Sequence, residues 1–567
     1  MWVKTLEEFK KINLEKVIAV DTETTDLNPR KAELEGIGWG DSQGQYYVDW
    51  ATCDFREEVI KEFKKLFKEK EIIFHNAKFD IKIFKEILNI NFPLFLHDTM
   101  IMSWLLNENR SHGLKELTSS ILKRKAVTYE EVPKEVTLFE DVEKLKKAMA
   151  KYCCGDVKNT YDLFQKFMPL LKEEKLDYCY NNIEIPLVKV LTKMELKGVV
   201  IDIGKLKTLA KKAKAVLLEK ESLIYSLVGE QKFNIRSSKQ LRELIFDKLR
   251  VKPLKVTPAG VPSTDHESLK ALAKTNKEVD AILDFREFDK LNGTYLEGLQ
   301  EKAENGILYT DFLQHRTRSG RLASANPNLQ NIPVRSDEFD VRQAFVPRDG
   351  YKFIIADYSQ IELRVVAYFS QEPSMIETFK NNGDIHQLTA SMVGCSRSHA
   401  KNINFGMIYG LGPKNLAKDL GISVEQGKRY MDTFFGKYSR LNSYISEVQT
   451  IGYFRGYALT LANRKRRFKI VKNMTKGETE AIKRRLINTT IQGSAADLMK
   501  IAMVRIDRRL KKYDADMLIQ IHDEVVVECK KDQIEEVSKE IKEGMEEAVT
   551  FNIPIPVDLK VAGCWIK

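Results

Sequence analysis

The sequence predicts an α/β domain followed by a largely helical segment and then an α+β region. Strand-like and helix-like stretches alternate over residues 1 to about 170, as is typical of an α/β domain. From about 180 to 290, apolar residues recur at helical spacing amid lysines, which indicates helices with one buried face. Strands return after about 300, and a helical stretch at roughly 370–450 divides them, which favours a sheet split around a helical insertion.

Each predicted element has a local cause. Short apolar runs predict strands at 17–20, 71–75, 353–356, 517–528 and 557–561. Amphipathic spacing predicts helices at 55–69, 81–88 and 206–218. Two prolines and a glycine between 253 and 262 predict a loop that interrupts the helices.

Composition and charge define the broad class of protein. The chain has 567 residues, of which 43% are hydrophobic and 31% charged, as in a globular protein of three or four modules. Lys and Arg number 92 against 81 Asp and Glu, a formal net charge of +11. No apolar run approaches the ~20 residues of a membrane span, and the charged N-terminus does not resemble a signal peptide. The seven cysteines lack zinc-binding spacing and indicate reduced thiols, so we expect a cytoplasmic protein. Because the sequence has no membrane span, we also expect no membrane partner.

The basic residues are concentrated in one stretch. Between Arg464 and Arg485 there are ten Lys or Arg residues, opposed only by Glu478 and Glu480. Such a field attracts phosphate groups, which predicts contact with nucleic acid. A solvated surface explains the same charges equally well.

Carboxylates follow the strands of the first domain. Asp21 and Glu23 are two residues apart, so the period of a strand places them on one face. Asp80 follows the second strand, and Asp156 follows Tyr152 at the i, i+4 spacing of a helix face. Each motif alone recurs by chance. Together, such carboxylates suit hard divalent ions, two of which ~4 Å apart support phosphodiester cleavage, and a tyrosine hydroxyl can orient the attacking water.

A second pair of carboxylates lies in the C-terminal region. Asp357 ends a predicted strand, and His522-Asp523-Glu524 lies in a predicted tight turn between two others. If these strands are neighbours, Asp357 and Asp523 could hold two Mg²⁺ ions for in-line displacement at phosphorus. An isolated His-Asp-Glu is otherwise a common surface sequence.

A helical stripe lies between these carboxylates. Arg397, Lys401, Phe405 and Tyr409 are spaced by four residues, so two cations precede two aromatic rings along one side of a helix. The cations could bind a triphosphate and the rings could stack on a base or sugar. The alternative is an amphipathic helix whose aromatic residues belong to the core.

In their order along the chain, the first-domain motifs resemble the DEDD-type 3′–5′ exonucleases, in the variant with a tyrosine in the third motif. The resemblance implies an RNase H-like fold and an active exonuclease. It also implies that Tyr152 orients water, that Asn76 contacts substrate, and that the metal-binding carboxylates are Asp21, Glu23, Asp80 and Asp156.

The rest of the chain resembles the family A DNA polymerases of the bacterial DNA polymerase I type. The motifs are Asp-Tyr-Ser-Gln-Ile-Glu-Leu-Arg at 357–364, the helix at 397–410 and His-Asp-Glu at 522–524, with further signatures at 317–333 and 488–497. The resemblance covers nearly the whole chain and implies an α+β right hand with an antiparallel palm sheet and helical fingers and thumb. We expect the exonuclease domain at 1–175 and the polymerase domain at 176–567, with the thumb at about 185–300, the palm at about 301–370 and 450–567, and the fingers at about 371–449.

The resemblance also implies residue roles. Asp357 and Asp523 would hold the metals, with Tyr358 at the metal site and Glu524 in support, while Lys401 would protonate the leaving pyrophosphate. The residues implied to contact nucleotide or primer-template are Arg397, His386, Phe405, Tyr409, Glu362, Arg321, Arg484, Asn488, Gln492 and His522.

Some of these implied roles concern selectivity. Glu362 against Tyr409 would exclude a 2′-hydroxyl and so select deoxynucleotides. Phe405, where some relatives carry tyrosine, implies discrimination against terminators lacking a 3′-hydroxyl. Ser398 stands where many relatives have a second arginine, which implies weaker triphosphate binding.

The resemblance implies two Mg²⁺ ions per active site, replaceable by Mn²⁺, and primer-template DNA and dNTPs as partners. We expect a monomer with no obligate protein partner. Only about sixteen residues precede the first predicted strand, so we expect no 5′-nuclease domain.

Three alternatives remain at the sequence level. A phage-type RNA polymerase is disfavoured by Glu362 and the octet around it, and a comparison of dNTP with rNTP incorporation would decide. An exonuclease whose C-terminal part only binds DNA would not need Asp357 and Asp523. A DNA-binding scaffold without enzymatic activity would need none of the carboxylates that are placed to bind metal ions.

Overall fold

The computed structural model describes residues 1–131, 139–229, 233–333 and 339–566, with the side chains of 139–141 excepted. Its N-terminal sheet has the strand order β3-β2-β1-β4-β5, in which β1, β4 and β5 are parallel and β2 and β3 antiparallel. The α/β class predicted for this region is confirmed. The strands are β1 Val17–Thr24, β2 Leu34–Gly40, β3 Gln45–Asp49, β4 Glu71–Phe74 and β5 Phe95–Asp98.

Helices connect and cover these strands. The helix predicted at 81–88 begins earlier, at Ala77, because Asn76 adopts a left-handed φ of 68° and Asp98 accepts hydrogen bonds from the main-chain N–H groups of Asn76 and Ala77 (3.2 and 2.9 Å). Their bounds are α1 Leu6–Lys10, α2 Arg56–Glu69, α3 Ala77–Glu86, α4 Thr99–Leu106, α5 Leu114–Ser120 and α6 Phe139–Glu173, with a 3₁₀ turn at Tyr129–Glu131.

A helical segment follows, as predicted. Its long helix buries Leu206, Ala213 and Leu217 on one face, and the region 253–262 is a loop closed by a Val256–Pro262 bridge. The helices are α7 Ile185–Lys197, α8 Ile203–Val228, α9 Ser238–Arg242, α10 His266–Ala273, α11 Lys277–Lys290 and α12 Gly298–Lys302, with π-helical turns at Cys179–Glu184, Glu243–Lys248 and Leu291–Glu297. The short strands here are β6 Val199–Ile201, β7 Ile307–Leu308, β8 Asp311–Leu313, β9 Ala323–Ala325 and β10 Phe345–Val346, with 3₁₀ turns at Leu329–Asn331 and Val341–Ala344.

The C-terminal sheet is fully antiparallel, with the strand order β14-β15-β11-β16. A helical insertion separates its first strand from the others, which confirms the predicted split sheet. The strands of this sheet are β11 Tyr351–Tyr358, β14 Ala515–Ile521, β15 Glu524–Lys530 and β16 Val557–Ala562, and a separate two-stranded sheet consists of β12 Tyr457–Leu459 and β13 Lys465–Arg467. The helices are α13 Ile361–Ser370, α14 Pro373–Lys380, α15 Ile385–Val393, α16 Arg397–Ile408, α17 Pro413–Leu420, α18 Val424–Lys437, α19 Ser439–Arg455, α20 Lys476–Arg509 and α21 Ile534–Glu546, with 3₁₀ turns at Leu510–Lys512 and Lys531–Gln533.

Part of the basic stretch has a structural role that the sequence did not predict. Arg464 is only 3% exposed, and its guanidinium binds Glu184 and Asp497 at 2.5 and 2.8 Å. Lys465 and Arg467 on β13 pair with Glu174, a residue just beyond α6, and Arg467 also pairs with Glu108, which follows α4. In this conformation these three cations neutralise protein carboxylates, so they hold parts of the fold together.

Among the described residues, no helix combines the length and apolar character that a membrane crossing requires. Each of the seven cysteines is a free thiol.

Candidate active sites

The first site forms where β1 meets α3 and α6. Asp21 and Glu23 lie within β1, which extends beyond the predicted run, and they project from the same face because they are two residues apart. Asp80 on α3 is buried, and its Oδ1 accepts hydrogen bonds from the Thr22 main-chain N–H and hydroxyl (3.0 and 2.7 Å). The fold therefore fixes Asp80 beside the strand that carries the first two carboxylates.

Helix α6 contributes the remaining two predicted residues, Tyr152 and Asp156. The Lys115 ammonium donates to both carboxylate oxygens of Asp156 at 2.5 and 2.6 Å, and it lies 4.0 Å from the centroid of the Tyr152 ring. The edge of Tyr129 packs on the same ring. Lys115 could not be identified from the sequence, because no local pattern distinguishes it from other helix-surface lysines.

Electrostatics favours a cation in this site. Burial is the largest cause that raises the pKa of each carboxyl, to about 8 for Glu23 and about 7 for Asp80, and in the same direction for Asp21 and Asp156. Repulsion between the carboxylates adds to the shift for Asp21 and Glu23. One buried oxygen of Glu23 has no hydrogen-bond partner among the described residues. Divalent cations fit this donor set, because their charge and coordination would offset both penalties.

Asn76, predicted to contact substrate, lies at the start of α3, one helical turn before Asp80. Its main-chain N–H is held by Asp98, and its side chain makes no cap hydrogen bond to the helix. The Asn76 side chain is half-buried.

The second site forms on the antiparallel sheet. Asp357, at the end of β11, lies opposite Glu524 on β15 and Asp558 on β16. The main-chain N–H of Tyr358 donates to the Asp523 carbonyl at 3.2 Å, so Asp357 lies beside the turn that carries Asp523. Burial, followed by the charge of Asp523, raises the pKa of Asp357 to about 6. Burial also raises the pKa of Asp523.

Residues near this pair have defined partners. Glu524 accepts a hydrogen bond from the Trp565 indole at 2.8 Å and lies 3.9 Å from the guanidinium of Arg342, two neighbours that the sequence analysis missed. The Tyr358 hydroxyl donates to the Met545 carbonyl at 2.8 Å, so at most its main-chain carbonyl remains for a metal. His522 occupies the predicted turn with a φ of 52° and is exposed.

The predicted stripe of two cations and two aromatic rings lies on α16, where the cations are exposed and the rings are half-buried. Arg397 and Lys401 are exposed, and Arg397 pairs with Asp384 at 2.6 Å. The rings of Phe405 and Tyr409 are half-buried, stack with centroids 6.3 Å apart and pack against the core. The predicted stripe and the core alternative therefore each describe part of this helix.

His386, predicted to contact the triphosphate, is only 4% exposed, and its ring Nδ1 lies 2.9 Å from the Asn404 amide nitrogen. Its ring centroid is 5.9 Å from that of Phe405. In this conformation the His386 ring packs between its own helix, α15, and α16, where it contacts Asn404 and Phe405.

Glu362 is held by a second predicted residue. Its carboxylate accepts from the Arg321 guanidinium at 2.5 Å, which brings two predicted residues together. The Tyr409 hydroxyl is buried without a hydrogen-bond partner among the described residues, so no hydrogen bond joins it to Glu362 in this conformation. Burial is the largest cause that raises the pKa of Glu362.

The last group of predicted site residues, those expected to contact the primer-template, lies on α20. Arg484, Asn488 and Gln492 follow one another at four-residue intervals and form one stripe. Gly410 has a φ of +70°, and a Cβ there would lie 2.8 Å from the Arg484 side chain, so glycine permits this close approach. The carbonyl oxygen of the Asn488 side chain is buried without a partner among the described residues, which leaves it available to a ligand.

The two parts of the fold and their carboxylate sites define a protein in which an exonuclease-type domain precedes a polymerase-type domain. Residues 2–172 match the 3′-5′ exonuclease family found with these polymerases, and residues 203–567 match DNA polymerase family A. The chain belongs to DNA polymerase family A. Domains of both kinds generally use divalent metal ions.

Curated relatives agree with this assignment. DNA polymerase I of Borreliella burgdorferi is 35% identical over 589 aligned residues, which cover 99% of this chain and 63% of the relative. DNA polymerase I of Synechocystis sp. is 34% identical, with 99% and 61% covered. The chain thus spans less than two thirds of the length of these relatives.

A solved structure shares the whole architecture. The POL domain of Pol1 from M. smegmatis, in complex with DNA primer-template and dNTP, matches with a TM-score of 0.86 and 26% identity. The match covers 97% of this chain and 95% of that one.

Proposed function

We propose that the chain is a template-directed DNA polymerase that adds dNMPs to a primer 3′ end and carries a separate 3′–5′ proofreading exonuclease site. The observation that carries the proposal is that Asp357, near the end of β11, lies beside the turn between β14 and β15 that carries Asp523, in a chain that belongs to DNA polymerase family A. Primer-template DNA and dNTPs are the proposed partners. The division into an exonuclease domain at 1–175 and a polymerase domain with thumb, palm and fingers from 176 belongs to the same proposal, as does a cytoplasmic monomer.

In the polymerase site, Asp357 and Asp523 would hold two Mg²⁺ ions, for which Mn²⁺ can substitute. When bound, such ions activate the primer hydroxyl and stabilise the leaving pyrophosphate. Glu524, fixed by the Trp565 indole, orients the turn that carries Asp523. Lys401 is exposed on the same face of α16 as Arg397, where it can protonate the pyrophosphate while the guanidinium binds phosphate oxygens.

Nucleotide and primer-template would lie between α16 and α20. Phe405 and Tyr409 offer ring faces to the nascent base pair, and the stripe on α20 offers hydrogen-bonding groups to its minor-groove edge, where correct pairs present acceptors at similar positions. His386 supports Phe405 from inside the helical layer, and His522 lies beside Asp523 at the primer end.

Sugar selection would involve a pair of residues. In this conformation Arg321 holds the Glu362 carboxylate, and we propose that Glu362 blocks the space of a 2′-hydroxyl. The gate therefore depends on the orientation that Arg321 gives to Glu362, in addition to the ring of Tyr409.

In the exonuclease site, Asp21, Glu23, Asp80 and Asp156 would hold two Mg²⁺ ions. Tyr152 would orient the attacking water through its hydroxyl. Asn76 would contact the 3′-terminal nucleotide from the start of α3.

A pair of variants tests the proposal. Asp523→Asn should lower Mg²⁺-dependent primer extension by at least ~10³-fold, which corresponds to a loss of ~4 kcal/mol of transition-state stabilisation, and should leave 3′ trimming in the absence of dNTPs intact. Asp21→Ala combined with Glu23→Ala should have the reverse effect. Asp532→Asn, the same chemical change at an exposed site, is the matched control. Extension that survives Asp523→Asn would refute the polymerase site, and trimming that survives the double variant would refute the exonuclease site.

A further inference from the structure

A thiol lies inside the carboxylate cluster of the exonuclease site. Cys153 on α6 lies between Tyr152 and Asp156 in sequence and is 0% exposed. Its Sγ is 3.8 Å from Oδ2 of Asp21. One ligand atom from each of Asp21, Glu23 and Cys153 lies within 4.8 Å of the other two. One sulfur and two oxygen donors therefore lie close enough together to bind a single metal ion.

Cys153 bonds within this cluster: its thiol donates a long hydrogen bond to Oδ2 of Asp21 at 3.8 Å. Asp80 is engaged by two hydrogen bonds from Thr22, and both oxygens of Asp156 are engaged by Lys115. By contrast, Glu23 is more than nine-tenths buried, and its Oε1 has no hydrogen-bond partner among the described residues. The unpartnered oxygen indicates that a cation belongs beside it.

We propose that Asp21, Glu23 and Cys153 bind a thiophilic divalent ion of the Zn²⁺ or Cd²⁺ class, at a position that overlaps the proposed Mg²⁺ site. Zinc bonds of ~2.3 Å to sulfur and ~2.0–2.2 Å to oxygen at tetrahedral angles separate the ligand atoms by ~3.6 Å. The observed 3.8 Å between Cys153 and Asp21 already matches this separation. Thiolate ligands favour such ions over Mg²⁺, and the thiol proton passes to solvent when the ion binds.

The proposed site has a consequence for the enzyme. An ion held by Cys153 uses the two β1 carboxylates that Mg²⁺ needs, so Zn²⁺ should inhibit 3′ trimming by competition. This consequence rests on the proposed exonuclease function. The binding of the ion does not, since it requires only the three donors.

Cadmium absorbance tests binding without reference to activity. Titration of the full chain with Cd²⁺ should produce the ultraviolet sulfur-to-cadmium charge-transfer band with one equivalent bound at this site. The band at this stoichiometry should be lost in Cys153→Ser and kept in Cys154→Ser, the matched control on the next residue of the same helix. Retention of the band in Cys153→Ser, or its loss in Cys154→Ser, would overturn the proposal.

If Cys153→Ser does not fold, a second variant tests the proposal. Glu23→Gln keeps the thiol and the side-chain volume but removes one anionic donor. Cd²⁺ affinity should fall at least ~100-fold, since even the loss of a group that only supports a ligand costs ~10–100-fold. An unchanged Cd²⁺ affinity in folded Glu23→Gln would exclude this donor set.

Inhibition supplies the functional measurement. The Zn²⁺ concentration that halves 3′ trimming should rise at least ~10-fold in Cys153→Ser, with each variant compared to its own rate without Zn²⁺. Equal Zn²⁺ sensitivity in wild type and Cys153→Ser would refute the competitive overlap. A wild-type chain that binds Cd²⁺ through Cys153 but never trims DNA would refute the exonuclease function and leave the ion site standing.

Discussion

Replacing Lys115 by methionine should raise the affinity of the exonuclease site for hard divalent ions. The Lys115 ammonium binds both oxygens of Asp156 at 2.5 and 2.6 Å, and the two side chains are 28% and 10% exposed. A divalent ion that uses Asp156 must displace this ammonium. The lysine therefore stabilises the metal-free form and opposes metal binding.

The size of the effect follows from the burial of the pair. Breaking a fully buried ion pair costs ~3–5 kcal/mol and an exposed one ~0–1 kcal/mol, so this mostly buried pair should contribute ~2 kcal/mol. The metal-bound form has already lost the pair, so the whole difference increases the binding free energy. Metal affinity should rise ~30-fold, at 1.4 kcal/mol for each factor of ten.

Mn²⁺ binding measured by calorimetry or electron paramagnetic resonance would test this prediction. Lys158→Met is the matched control, because Lys158 lies on α6, pairs with Asp162 and is half exposed. It should leave Mn²⁺ affinity unchanged. If Lys115→Met lowers the affinity or leaves it unchanged while Asp156→Asn abolishes binding, the lysine does not compete with the ion.

Three further predictions concern pH, sugar selection and stability. The raised pKa values of Glu23 (about 8) and Asp80 (about 7) mean that the folded chain holds protons that the unfolded chain releases near pH 4. Without divalent ions, the free energy of unfolding should therefore fall as pH rises from about 4 to about 8. The melting temperature, measured in chelator against pH, should fall less steeply in Glu23→Gln than in the wild type, and equal slopes would contradict this prediction. Glu362→Ala should raise the ratio of rNTP to dNTP incorporation, measured as kcat/KM, by ~10–100-fold, and an unchanged ratio would remove the gate. Glu184→Gln removes one of the two buried carboxylates that bind Arg464 and should cost ~3–5 kcal/mol in chemical denaturation, so a loss below ~1 kcal/mol would show that the network does not stabilise the fold.

Local periodicity explains why much of the fold could be predicted. The strand that contains Ala356 and the helix that begins at Arg56 follow from apolar runs and amphipathic spacing, which are properties of neighbouring residues. The start of α3 could not be predicted in this way, because the main-chain groups that open it are held by Asp98, a residue from the next strand.

The sequence by itself determined the family resemblance, the candidate carboxylates and the order of the two domains, since these are encoded in short motifs with fixed spacing. Tertiary structure alone decided which charges meet. Lys115 reaches Asp156 across 41 positions and Arg464 reaches Glu184 across 280, and the thiol of Cys153 faces Asp21 only because α6 packs on β1. Ion pairs and metal ligands depend on distances in space, and a one-dimensional pattern does not contain those distances until the chain has folded.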